Sequence, residues 1–545
     1  NDLELSRRWP DMKIIVIGSG IAGAHAALTL LERKRPVELW DVGREETSFP
    51  DAGRTITDLK DSLDDPVSYF LGSEMGALVP PGSGELLRYP PSRSFLADRE
   101  DPLWDYLPSG FVPFASFSRG GLANGWGANA LSFDDDDMAD WPVSFAEMEA
   151  AYRKVYARVS VAGPEDADDL TPYLNGVYQS QPPVELSAAD RRLLFSYEKH
   201  RNRLNTLGVR IGRARLAVIT DSARQDHCDY CDRCLWGCPR AAIYNPAQST
   251  LKTCEADAGF RYVPGRFVLS LLSSGDKVSG LRYLDLRTQE IREEACDVVF
   301  LAAGALQSGA IFLRTLKASR PDIAPETDGL MDTTVVKLPF LAINRIGAVP
   351  EPRQFQFNRL NMGVVGKRDA WPRYLHGEVL TLSSLLFHPL IESLPLDSRF
   401  AKQLFFTLKT ALGAVTLFFP DKIASGNRQV LVEDGGRWPQ VRLEYREQDE
   451  KEVLIRQSVS RVRSALWRLG CIPRGAARSP SGGGIHYAGT VPMGAGPKRC
   501  NARGQSNLFS NLYIADGAAF PSLPSKSISM SLAAHATRVA TSARV

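Results

Sequence analysis

The sequence has no run of eighteen or more apolar residues, so no membrane-spanning helix is expected. It has no excess of one charge: 65 Lys and Arg stand against 63 Asp and Glu, a formal net charge of +2. Without a basic stripe or an acidic tail, a nucleic-acid partner is not expected. It lacks the composition of a disordered, collagenous or disulfide-dense chain, being 44% hydrophobic and 23% charged with 44 Gly and 35 Pro in 545 residues. No internal repeat is present. Nor are the 8 cysteines spread in pairs as in a secreted disulfide framework: four fall between Cys228 and Cys238, and Cys254, Cys296, Cys471 and Cys500 are scattered. A chain of this length buries a large core and usually divides into two or three domains. Residues 1–11 are polar. Arg7-Arg8 is followed by Trp9-Pro10-Asp11 and not by an apolar run, so this stretch reads as a leader or an appended remnant, with Met12 as the natural start and the cytoplasm as default compartment.

What is there begins at Lys13. Lys13–Ile17 is a short β-branched run, Gly18-Ser19-Gly20-Ile21-Ala22-Gly23 follows, an Ala/Leu-rich helical stretch extends to Glu32, and Val37–Trp40 is a second apolar run ending at Asp41. Strand, glycine-rich turn, helix and strand in about thirty residues is the context in which G-x-G-x-x-G points to a dinucleotide. Gly18 permits the tight turn, and Gly20 lets backbone approach a pyrophosphate held at the positive end of the helix. Gly23 allows close helix–sheet packing, and Asp41 can accept hydrogen bonds from a ribose.

Further along, residues 42–110 are rich in Pro, Asp and Ser and read as irregular. Ala146–Arg158 reads as a helix and residues 160–190 as loops. Leu216–Thr220 and Tyr262–Leu272 read as strands, and Asp297–Leu301 as a buried strand turning through Ala302–Ala305 into a helix that ends near Leu313. Residues 330–480 change character and form the candidate second domain. A final helix is expected over Ser529–Ala540. The apolar stretches Val379–Leu396 and Phe400–Pro420 read as a core helix plus the floor of the second domain, or as a lipid- or partner-facing surface. Asp134–Asp137 reads as a solvated loop.

Cys228-x2-Cys231-x2-Cys234-x3-Cys238-Pro239 has the spacing of the bacterial ferredoxin run. In two-cluster ferredoxins the fourth cysteine of such a run serves the other cluster, and here there is one run. Three outcomes are open: a 3Fe-4S cluster with a spare cysteine, a 4Fe-4S cluster using all four, or a 4Fe-4S cluster completed by Cys254 or Cys500. A structural zinc site, disulfides or free thiols are the alternatives. Cys296 and Cys471 read as buried thiols.

Several separated segments together resemble the glucose–methanol–choline (GMC) oxidoreductase family. They are Gly18–Gly23, Gly120-Gly121-Leu122-Ala123-Asn124-Gly125-Trp126-Gly127, Leu301–Ser308, His486-Tyr487-Ala488-Gly489-Thr490 with Met493-Gly494, and Asn511–Gly517 with Phe520-Pro521. The resemblance runs from about Lys13 to the C-terminus and is weak over 330–480. It implies an α/β fold with an FAD-binding Rossmann-like domain built from discontinuous segments (12–45, 105–140, 191–330, 482–545). An α+β substrate domain with an antiparallel sheet would take 46–104, 141–190 and 331–481. It implies FAD and oxidation of an alcohol to a carbonyl. Gly18, Gly20, Gly23 and Asp41 would hold the ADP half, Val268 the adenine, Gly120, Gly121, Asn124 and Gly127 the flavin, and Asp516 and Gly517 the ribityl or pyrophosphate region. His486 is the expected base, since a neutral imidazole suits removal of a hydroxyl proton.

The sequence departs from the family at the partner position, where Ser527 stands for the usual His or Asn. A hydroxyl there can donate one hydrogen bond, and Lys526 can instead supply charge to an alkoxide or a substrate carboxylate. His535 reads as a packed or surface histidine. Some dehydrogenases of this family carry a related cysteine segment followed, as here, by Tyr244-Asn245, with an iron–sulfur cluster that receives electrons from the flavin. The resemblance thus implies a dehydrogenase that passes electrons to an external acceptor or carrier protein. The rivals are an oxygen-using oxidase with a structural cysteine site, a redox-neutral lyase or decarboxylase, and an electron-transfer or assembly subunit with a degenerate flavin site. A sugar or glycoside, a sterol-like alcohol and a biosynthetic intermediate all stay open as substrates.

Overall fold

The computed structural model describes residues 12–45, 54–72, 74–78, 89–174, 181–367, 371–382, 391–392 and 394–545. The expected leader, residues 1–11, lies outside them, as does much of the apolar stretch at 383–390. Two sheets organise the chain. The first has five parallel strands in the order Leu512–Ile514, Val298–Leu301, Ile14–Ile17, Val37–Trp40, Phe260–Val263. Its strands come from four widely separated stretches, as a domain built from discontinuous segments requires. Ile15 and Ile17 pack into one core and Ile14 and Val16 into another, so this strand is buried on both faces, and its unbroken β-branched run follows from that.

The second sheet is antiparallel. Its path runs Tyr374–Leu375, Leu360–Val365, Gly377–Thr381, Leu412–Phe419, Thr334–Ala342, Cys471–Pro473, with Val209–Arg213 and Ala477–Arg478 pairing off it. One face is covered by the helices Ala188–Thr206 and Asp449–Arg468, through Leu193, Tyr197, Ile455 and Val462. The other face looks towards the first domain. The expected α/β fold with a parallel dinucleotide-type sheet and a second, antiparallel domain is therefore what the chain adopts.

Several local expectations are corrected. Tyr262–Leu272 is not one strand: it breaks into Phe260–Val263 and Arg266–Ser274 at Pro264-Gly265, where Gly265 has φ +74°. The second piece begins an antiparallel meander with Lys277–Asp285 and Glu290–Ala295. Leu216–Thr220 is not a strand but buried coil with isolated bridges from Leu216 to Asn129 and Ala162 and from Val218 to Ile243. The helix after Ala302–Gly304 runs over Ala305–Ser319, past Leu313. Residues 42–110 carry short helices at Ile56–Ser62 and Pro66–Leu71. Residues 188–213, grouped above with the first domain from 191 on, pack with the second sheet. The stretch Phe400–Pro420 divides: Ser398–Leu408 is a helix with only Ala401 and Phe405 buried, and Leu412–Phe419 is a central strand of the second sheet. Among the described residues, no helix is long and apolar enough to cross a membrane.

Candidate active site

A cavity of about 470 Å³ lies where the two domains meet. Its first wall is the turn after Ile14–Ile17. Gly18 has φ +99°, and a Cβ there would stand 2.5 Å from the Ala302 carbonyl oxygen. A Cβ on Gly23 would stand 1.8 Å from the Gly18 oxygen, so the helix Ile21–Glu32 sits as close to the strand as only glycine allows. Gly20 differs: nothing lies within 4 Å of a Cβ placed on it, and it faces the cavity. The helix carries no acidic residue in its first turn and no side-chain cap, which leaves its N–H groups free for an anion.

Asp41, at the end of Val37–Trp40, also lines the cavity. Burial pushes its carboxyl up to about 7, against hydrogen bonds donated by Ser19 and by the Tyr262 hydroxyl at 3.3 Å. Ser19 was not singled out in the sequence. Its hydroxyl donates to Asp41 and accepts from the Gly120 amide at 2.8 Å, so it ties the first glycine turn to the second. Gly120, Gly121 and Gly127 line the cavity, as do Val268 and Gly517. Asn124 does not: its amide donates to Ser118 Oγ, the Arg119 oxygen and the Gly121 oxygen at 3.0, 2.8 and 2.9 Å, and its oxygen accepts from Asn245. It shapes the glycine loop from within. Asp516 reaches the cavity's edge, but its oxygens are taken by the Gly304 amide (2.8 Å), Ser308 Oγ (2.6 Å) and the Ala518 amide (2.9 Å). It clamps the C-terminal segment to the start of Ala305–Ser319, with its carboxyl raised to about 6 by burial.

The opposite wall holds His486, on the turn that follows Gly482–Gly484. Its ring stacks on Phe418, 5.7 Å between centroids and 24° between planes, and Phe418 stacks on His376 at 5.9 Å and 28°. Among the described residues His486 Nδ1 is buried without a hydrogen-bond partner, whereas Nε2 is not among the buried unpartnered atoms of this residue, which lines the cavity. Burial lowers the imidazole from its ordinary 6.5 to about 4, so it is neutral across the physiological range. His376, which the sequence did not single out, is likewise held down to about 3 by burial, with the charge of Lys526 adding to it.

Ser525, Lys526 and Ser527 point three ways. Ser525 Oγ donates to the Tyr374 oxygen at 3.0 Å and accepts from the His376 amide at 3.1 Å. Ser527 lines the cavity with His486. Lys526 does not line it: its ammonium is fully buried between Asp134 Oδ2 at 2.7 Å and Asp137 Oδ2 at 2.5 Å. This corrects the expectation for Lys526, which is committed to carboxylates of its own chain, and half of that for Asp134–Asp137: Asp135 and Asp136 are exposed, as in a solvated loop, while Asp134 and Asp137 form a clamp. Asp136 adds an ion pair to Arg373 at 2.5 Å. His535 is packed, with Nε2 3.0 Å from the Ile514 oxygen.

The cysteine segment borders this cavity. Leu235, between Cys234 and Trp236, lines it, and buried Arg93 bridges the Asn124 oxygen at 2.6 Å and the Leu235 oxygen at 3.3 Å. The four thiols lie near enough that Cys228, Cys231 and Cys238 each act to raise the Cys234 pKa, after burial, which is the larger cause. Burial pushes Cys228 and Cys231 up to about 12. All eight cysteines are free thiols. Among the described residues no three His, Cys, Asp or Glu side chains form a metal-ligating group. As placed, Cys228, Cys231, Cys234 and Cys238 are therefore not a ligand set. Cys254 is packed against the helix Ile21–Glu32, and Cys500 Sγ donates to the Val491 oxygen at 3.4 Å, so neither completes one.

Residues 436–536, which include His486, Asp516, Lys526 and Ser527, match the family model described as GMC oxidoreductase. No curated protein matches the chain. Among solved structures, pyridoxine 4-oxidase from Mesorbium loti is 15% identical, with 97% of this chain and 98% of that one covered at a TM-score of 0.59. An FAD-dependent oxidoreductase from Chaetomium thermophilum is 12% identical, with 97% and 98% covered at 0.57. At these identities the likeness is one of fold.

Proposed function

We propose that this chain is an FAD-dependent oxidoreductase that converts an alcohol (CH–OH) to a carbonyl, with His486 as the base. The observation that carries this reading is that one cavity holds both the glycine-lined cradle around Gly20 and the neutral imidazole of His486. The residues present fit the dinucleotide. Gly20 offers clearance for a pyrophosphate, the uncapped helix behind it offers N–H donors, and Asp41 offers a carboxyl to a ribose. Gly120, Gly121, Gly127 and Val268 complete the lining. When bound, the flavin supplies a hydride acceptor, which the protein lacks.

The chain's own part is the proton and the pose. His486 Nε2 accepts the hydroxyl proton, while Nδ1 keeps its own. The stack on Phe418 fixes the plane of the ring, so Nε2 points to one place in the cavity. Ser527 donates one hydrogen bond to the substrate oxygen from the same lining. Apolar side chains, Phe418 and Leu380 among them, exclude water around the pair.

The finer reading makes the enzyme a dehydrogenase that hands electrons through an iron–sulfur cluster to a carrier. It rests on the spacing of Cys228, Cys231, Cys234 and Cys238 and on the contact of Leu235 with the cavity. The four thiols are neighbours, since Cys228, Cys231 and Cys238 each act on Cys234, but among the described residues they do not form a metal-ligating group as placed. One experiment tests both levels. Protein purified without oxygen should carry one FAD per chain, and an alcohol should bleach it under argon. Consumption of a substrate with the flavin unbleached would replace oxidation by redox-neutral chemistry. Three or four irons with matching sulfide are expected of the relay. Zinc or no metal returns the cysteines to a structural role and moves oxygen forward as acceptor.

A further inference from the structure

Three strands of the second sheet present alternate residues to the cavity. Val335 and Lys337 do so from Thr334–Ala342, Glu378 and Leu380 from Gly377–Thr381, and Thr416 and Phe418 from Leu412–Phe419. The residues between them, Val336, Val379 and Leu417, and Val415 just before Thr416, belong to the core on the sheet's other face. This is the period of two of a sheet that buries one face and lends the other to a site. The register sets Lys337, Thr416 and Glu378 side by side, because Thr416 lies opposite both. Asn361 continues the row on the next strand, opposite Glu378. To one side of the row stand Val335 and Phe418, to the other Leu380 and Ala414. A single polar band crosses an apolar wall.

The band is built and held. Glu378 Oε1 accepts from Asn129 Nδ2 at 2.8 Å, and the same amide reaches Asn358 Oδ1 at 3.1 Å. Asn358 in turn donates to Asn361 Oδ1 at 2.7 Å. Thr416 is 4% exposed, and its hydroxyl has no partner among the described residues. Burial raises the Glu378 carboxyl to about 7, against the pull of the Lys337 charge, so near neutral pH it can both donate and accept. Phe418, on which His486 stacks, lies two residues from Thr416 along one strand, which is about 7 Å. A substrate with its reacting carbon at His486 therefore lays its far side on the band.

We propose that Lys337, Thr416 and Glu378 form a substrate subsite that selects a polyhydroxylated ring, a sugar or cyclic polyol, over a sterol or long-chain alcohol. Each hydroxyl of such a ring gives and takes a hydrogen bond, as the mixed donors and acceptors of the band require. An apolar ligand would cover the same groups and strip their water without replacing it. The inference rests on the function proposed above, since His486 defines which end of the substrate reacts.

The test is calorimetric binding to the FAD-loaded protein. The panel is D-glucose, methyl glucoside, glucuronate and myo-inositol against cyclohexanol and cyclodextrin-carried cholesterol. At least one polyhydroxylated ring should bind, and neither monohydroxylic alcohol should. Thr416→Val, which keeps the shape and removes the hydroxyl, should weaken that ligand by about tenfold, the size of one lost hydrogen bond. A deoxy analogue that loses affinity on the unmodified protein should lose little more on Thr416→Val. Glu378→Gln, with FAD content and melting temperature as checks on folding, gives a second reading. Failure of every polyhydroxylated ring to bind, binding of the monohydroxylic alcohols alone, or affinity within twofold in both variants would overturn the proposal. Turnover separates the two levels. A ring that binds through the band but never bleaches the flavin sinks the alcohol oxidation and leaves the subsite; cyclohexanol that bleaches it while no ring binds does the reverse.

Discussion

Replacing His486 by Asn should slow anaerobic flavin reduction by an alcohol by about 100- to 10,000-fold, the range that a positioned general base supplies. Loading with FAD should be unchanged, because His486 lies on the wall opposite the glycine cradle and takes no part in it. Asn keeps a polar group of similar reach beside Phe418 but cannot accept and hold a proton. The pH profile adds a readout that a packing role would not move. Burial lowers the imidazole from 6.5 to about 4. The imidazole is thus neutral, and competent as the proposed base, above that value and loses that competence as the pH falls through it. In stopped-flow reduction from pH 4 to pH 8, the acid limb should sit well below the ordinary histidine range, and His486→Asn should abolish the limb along with the rate. An acid limb near 6.5, or a variant slowed less than tenfold, would assign the proton to another group.

The parts of the fold that were legible are those whose contacts are local. Ile14–Ile17, the glycine turn, Ile21–Glu32 and Val37–Trp40 fall within thirty residues, and the two tight glycines pack against each other across one turn. The final helix and the strand at Val298–Leu301 were legible for the same reason. Leu216–Thr220 misleads because a buried apolar run looks alike whether or not a partner strand lies beside it. The helices Ala188–Thr206 and Asp449–Arg468 are rich in charge, which masks their apolar stripe. For the first, a signal was present: Ser187 and Asp190 form a capping box.

The candidate site divides along the same line. His486, Ser527 and the glycines sit in short motifs. Lys337, Glu378 and Thr416 come from strands some forty residues apart, and only the register of the second sheet makes them neighbours. No spacing in the chain announces them. Asn124 was legible as part of a motif, but the direction of its side chain was not, since that depends on Ser118 and Asn245.

Lys526 shows how far a motif's neighbour can be from its chemistry. The residue before Ser527 was expected to serve an alkoxide, yet its ammonium is fully buried between Asp134 and Asp137, whose side chains are 28% and 12% exposed. Removing one partner of a buried ionic cluster leaves uncompensated charge, and such changes cost about 3–5 kcal/mol. Lys526→Met, close in shape but uncharged, should therefore lower the melting temperature by several degrees. Adding Asp134→Asn and Asp137→Asn should recover most of the loss, because the stranded charge is then gone. Burial alone would lower the Lys526 pKa, but the two carboxylates outweigh it and hold it above 10.5. Its contribution to stability is complete below 10.5 and is lost only as the pH rises through the folded value. Lys526 itself does not titrate between pH 6 and 9, so any narrowing of the stability difference from Lys526→Met as the pH falls through that window reports protons taken up by Asp134 and Asp137, the latter already raised to about 6 by burial. A charge donated to the substrate would behave otherwise: flavin reduction in the folded triple variant would fall a hundredfold while stability recovered. The clamp predicts the same recovery of stability but with reduction kept within a few-fold, so the reduction rate decides between them. It places Lys526 as an anchor between Ser525, whose hydroxyl bonds to the Tyr374 oxygen and the His376 amide beside the second sheet, and Ser527, which lines the cavity with His486.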